Sequence, residues 1–123
     1  MIMFVPFTVS LAEERVNTFV QGTQNLSSVA GLSNGGWVVT WFESPNNDPF
    51  EQHGLIAQIY DSAGDPDGPE TVLAYGWDFD IAAGHAVAAL PDNRWAVTYY
   101  DGDVQQLIFA EGYQPIGEAA TVN

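Results

Sequence analysis

The sequence predicts an all-β protein made of two four-stranded antiparallel meanders, and three observations carry that prediction. One block recurs: residues 29–42 (VAGLSNGGWVVTWF) align without a gap on residues 87–100 (VAALPDNRWAVTYY), 58 positions later, with Val29/Val87, Ala30/Ala88, Leu32/Leu90, Trp37/Trp95, Val39/Val97 and Thr40/Thr98 identical. Short runs of β-branched and aromatic residues follow one another, separated by Gly, Pro, Asn and Asp, and no segment holds a helical period over three turns. The 123 residues are 46% hydrophobic and 13% aromatic, enough to bury a core.

Taken in order, residues 1–15 form an N-terminal strand or arm. The apolar start from Met1 to Leu11 has no cationic region ahead of it, contains Pro6, and shows no small-x-small site before Glu13, Glu14 and Arg15, so it reads as strand and not as signal peptide. Residues 16–73 are the first repeat, with strands at 28–32, 37–42, 55–61 and 70–73. Residues 74–123 are the second, shortened repeat, with strands at 85–90, 95–100, 105–111 and 118–122. The tetrapeptides at 33–36 (SNGG) and 91–94 (PDNR) supply residues that tolerate positive φ, so each closes a tight hairpin. After the recurring block the offset falls to 49, placing Ile59 with Ile108, Tyr60 with Phe109, Pro66 with Pro115 and Gly68 with Gly117; nine residues are missing between the second and third strands of the second repeat.

Several of these strings resemble a known repeat. Val16-Asn-Thr18, Thr23-Gln24, Val29-Ala30, Gly35-Gly36-Trp-Val-Val-Thr-Trp41, Ala57-Gln58, Asp61-Ser-Ala-Gly64 and Gly68-Pro-Glu70 are similar to the "VNT…GGxVVTW…AQ…D..G" repeat of large bacterial secreted and calcium-associated repeat proteins. The match is close over 16–73 and weak over 74–123. The resemblance implies β-propeller-like blades and an extracellular or surface location, and it brings no catalytic residues.

A closed propeller has about four to eight blades, and two cannot close a ring. Central strands such as Trp37–Trp41 are apolar on both faces, which calls for a neighbour on each side. The expectation is therefore a ring completed by oligomerisation through head-to-tail contacts, a trimer in preference to a dimer or tetramer. Residues 15–19 resemble a surplus fourth strand, either swapped into the next subunit or lying on the edge of its own sheet. The alternative fold is a self-contained β-sandwich.

Sixteen Asp and Glu stand against Arg15, Arg94 and no lysine, a formal charge of −14. Such a charge repels phosphate backbones and anionic bilayers, so nucleic acid and membrane are set aside as partners. Absence of cysteine removes disulfides, thiolate metal sites and thiol nucleophiles. No stretch has the length of a membrane span.

Alternation of loops in a meander puts the tight hairpins and the turns at 61–69 and 112–117 on one face. The longer connections gather on the other, where loops on a rigid scaffold commonly carry binding residues. The candidate ligand-binding residues there are Glu43, His53, Trp77, Asp78, Asp80, Asp101 and Asp103, an aromatic ring among acids being suited to a sugar or a cation. Asp61, Asp65 and Asp67 alternate with glycine as calcium ligands could, but a plain turn is the preferred reading, and their spacing is not that of an EF-hand. No cofactor is expected beyond that calcium. His53 and His85 have no metal-ligand spacing, and no G-x-S-x-G, P-loop or dinucleotide motif occurs. The functional expectation is a non-enzymatic binding or assembly module, recognising a carbohydrate or other small ligand on its loop-rich face. The other classes are a purely structural oligomerising protein and a carboxylate hydrolase.

Overall fold

A computed structural model describes residues 14–18, 23–44, 53–76, 84–117 and 120–122. Eight strands follow in chain order: β1 (Thr23–Gly31), β2 (Trp37–Ser44), β3 (His53–Tyr60), β4 (Thr71–Gly76), β5 (His85–Ala89), β6 (Trp95–Asp101), β7 (Asp103–Phe109) and β8 (Ala120–Thr121). They make two antiparallel sheets, ordered β1-β2-β3-β4 and β5-β6-β7-β8. The protein is all-β, as predicted, and each sheet is an open meander.

Strand ends differ from the prediction where local pattern is weak. β1 begins at Thr23 because its pairing with β2 passes through a bulge between Asn25 and Ser28, with Leu26 at φ 54°. A bulge opposes two residues to one and lets the ladder resume. β7 begins at Asp103, directly after Gly102 at φ 80°, so 101–103 is a tight turn and not a long loop. Residues 15–18 of the surplus strand predicted at 15–19 hold no strand, and residue 19 lies outside the described residues. Instead the Thr18 N–H and hydroxyl donate to the Glu70 carboxylate at 2.7 and 2.8 Å, fixing this segment beside the turn that precedes β4.

Both hairpins are built as their residues dictate. Leu32 and Gly36 close the first, with Gly35 at φ 91°; Leu90 and Arg94 close the second, with Asp92 at 61° and Asn93 at 62°. Asp and Asn reach the left-handed region at small cost, which is why no glycine is needed in the second. The hairpins also meet: the Asn34 N–H donates to Asn93 Oδ1 at 3.0 Å, and the Asn93 N–H donates to Ser33 Oγ at 2.6 Å. The opposite ends of the strands therefore share the other end of the molecule.

Between the sheets lies one core. The first sheet contributes Val38, Phe42, Leu55, Ala57 and Ile59, and the second contributes Trp95, Val97, Tyr99 and Phe109. Trp95 is fully buried, stacked on Phe109 at 4.2 Å, with its indole N–H donating to the Gly112 carbonyl at 2.8 Å. Tyr113 crosses the interface, its hydroxyl accepting from the Ile59 N–H at 2.8 Å.

The two sheets meet through non-equivalent faces. Val38 and Thr40 of the inner face of β2 correspond to Ala96 and Thr98, which point outward on β6; Trp95 and Val97, inward on β6, correspond to Trp37 and Val39, outward on β2. The remaining faces differ in exposure. β3 is buried at every position from Gly54 to Tyr60, whereas β6 alternates, with Trp95, Val97 and Tyr99 buried and the residues between them partly open.

Candidate functional site

Sequence-predicted site residues fall into three groups. Glu43 is the half-buried penultimate residue of β2, and His53 opens β3. Asp101 and Asp103 oppose one another across Gly102, with Asp103 exposed. These four share the end of the molecule opposite the hairpins. Trp77, Asp78 and Asp80 lie outside the described residues.

Asp61, Asp65 and Asp67 sit on the hairpin side of the molecule in a turn with its own explanation. Asp61 Oδ1 accepts from the N–H groups of Ala63 and Asp65 at 2.9 and 3.0 Å, and backbone bonds run from Asp61 N to Asp65 O and from Asp67 N to Ile59 O. The second repeat repeats both backbone bonds, from Ala110 N to Gln114 O and from Ile116 N to Ile108 O, with no acid at any corresponding position. Carboxylates are thus not what shapes this turn, and Asp61 serves the turn's own donors. Among the described residues, no three His, Cys, Asp or Glu side chains gather as a metal would require.

His85 is the chemically distinctive residue that spacing did not reveal. As the first residue of β5 it shares the inward face with Val87, and a period of two from that apolar position is the signal that places it there. Its Nε2 lies 2.6 Å from the Thr40 hydroxyl of the first sheet, and its ring meets Phe42 edge-on at 5.0 Å. Nδ1 is buried with no partner among the described residues. Burial lowers its pKa below the ordinary 6.5, opposed by the Thr40 bond, so the ring is neutral at pH 7. A hydroxyl against an imidazole has the form of a nucleophile and base. Here Thr40 is completely buried, so its hydroxyl is shut off from solvent and the pair joins the two sheets.

Beside His85 a cleft of about 290 Å³ opens on the outward face of the second sheet, lined by Gly84, His85, Ala86, Thr98, Tyr99, Tyr100 and Val104. This is near the lower limit for small-molecule sites. Tyr100 and Val104 are 38% and 39% exposed. Among the described residues the rest of that face is also without formal charge: no outward position of β5 to β8, including Ala88, Ala96, Thr98, Gln106 and Ile108, carries a carboxylate or a cationic group. The first sheet's outward face has Trp41 and Ile56 buried at its centre and is open towards its margins, at Val29, Val72 and Tyr75. No family model, curated protein or solved structure matches this chain.

Proposed function

We propose that this protein is a non-enzymatic assembly module that associates with further copies of itself through sheet faces. One observation carries the reading: the described outward residues of the second sheet are uncharged and substantially open in a chain of net charge −14. An open, largely apolar face of this kind marks an interaction site. Blade-like sheets sharing faces between subunits remain within this reading, including a propeller-like ring. The expected result is a discrete complex larger than 13.3 kDa by light scattering behind a sizing column. A monomer at every concentration up to the millimolar range would overturn it.

The cleft beside His85 supports a second reading, in which a neutral ligand such as a sugar ring stacks on Tyr100 and bonds to the Thr98 hydroxyl. Saturable shifts of the Tyr100 and Thr98 NMR signals on titration with neutral saccharides test it, and unchanged spectra exclude it.

A further inference from the structure

We infer that two copies of this chain pair face to face through β5–β8 about a twofold axis running across the strands, each copy closing the other's cleft. The inference rests on the assembly reading above and adds which face is used, with what symmetry and in what register.

The chemistry of the face comes first. Inner-face residues of the first sheet pair as Val38–Ile59, Thr40–Ala57 and Phe42–Leu55. The outward face of the second sheet pairs as Ala96–Ile108, Thr98–Gln106 and Tyr100–Val104, the same rows at the same repeat positions. In the first sheet those rows are covered by another sheet. In the second they are half-buried or exposed. Their natural cover is again a sheet, packed at about 10 Å.

Charge selects the occupant. Among the described residues a basic partner would find no carboxylate on this face, and an acidic one would gain nothing from it. A second copy of the same described residues brings no acid against an acid despite −14 on each chain. The outward face of the first sheet is a poorer occupant, because Trp41, Ile56, Gln58 and Tyr60 are already buried.

Shape selects the axis. On β6 the large residue lies at the loop end (Tyr100) and the small one at the hairpin end (Ala96, beside Ala88 of β5), while β7 carries a branched aliphatic residue at each end (Val104, Ile108). A twofold axis across the strands reverses these ends. Tyr100 then lies over the partner's Ala96, Val104 over the partner's Ile108, and Thr98 and Gln106 meet their own counterparts on the axis. The cleft, whose outward lining is Ala86, Thr98, Tyr100 and Val104, is covered in the same step.

The chain has no cysteine, so single-cysteine variants report cleanly. Thr98→Cys should be linked to itself by a short bis-maleimide in high yield, whereas Ser33→Cys, at the hairpin end, should not. Thr98→Asp places two carboxylates on the axis and should weaken association about a hundredfold or more. Ala88→Glu, at an exposed position, is the companion variant if Thr98→Asp unfolds. A dimer in which Thr98→Cys fails to cross-link and both charge variants leave the mass unchanged would overturn the face and axis while leaving assembly intact. A monomeric wild type would overturn both.

Discussion

At the residue scale, His85 makes stability depend on pH in a definite direction. Its folded pKa is lowered by burial, so between that value and 6.5 the unfolded chain takes up a proton that the folded chain refuses. Stability conferred by the neutral ring is fully present above 6.5 and is lost as pH falls through that value towards the folded pKa, by at most about 1.4 kcal/mol per pH unit for one proton. The wild type should therefore lose more of its melting temperature between pH 7.5 and 5.5 than His85→Gln does. The carboxylates titrate in both proteins and largely cancel in the comparison. Parallel melting curves would show that His85 is not held neutral. Two tyrosines shift upward: Tyr113 through burial, against the Ile59 bond, and Tyr60 through burial and the charges of Glu14 and Glu70. Both remain protonated at neutral pH and act there as packing and hydrogen-bonding groups.

Among the elements, the hairpins separate what local chemistry encodes from what packing imposes. Positive φ at Gly35, Asp92 and Asn93 follows from the residues themselves, and both turns were legible for that reason. Gly36 has a different constraint. A Cβ there would overlap the Tyr60 carbonyl oxygen and lie 3.3 Å from Asp61 Cα, so the requirement comes from the end of β3 folding close behind the hairpin. Because both obstacles are backbone, Gly36→Ala should cost about 2 to 3 kcal/mol in urea unfolding. Gly31→Ala, with nothing within 4 Å of the added carbon, should be neutral or stabilising by up to about 1 kcal/mol. Equal losses at both sites would mean that close approach is not the cause. Position 94 in the second repeat bears a half-buried arginine where the first has Gly36, so the repeat alone could not expose this constraint. The early start of β1 was illegible for a related reason, since Leu26 interrupts the alternation and only pairing with β2 carries the strand past it.

For the molecule as a whole, the recurring block made the two meanders readable, but not which face of each would meet. Trp37 and Trp95 are equivalent in sequence, yet Trp95 is sealed in the shared core while Trp37 stacks on Tyr60 on the far side of its own sheet at 5.4 Å. Apolar residues on both faces announce two neighbours without ordering them, and His85 acquires its partner only once Thr40 is brought across. That ordering leaves the face of the second sheet as the proposed surface for association, and the charge on the rest of the chain then decides how salt should act. Each copy carries −14, so approach is opposed at long range, while the described residues of the proposed contact offer no ion pair for salt to weaken. Screening shortens from about 10 Å at 0.1 M to about 3 Å at 1 M ionic strength and should remove most of that repulsion. The dissociation constant of the pair, measured by sedimentation at fixed pH, should fall steadily as sodium chloride rises from 0.05 to 1 M. Dissociation by salt would instead mean that opposite charges face one another across the contact, which the described outward residues of the second sheet do not supply.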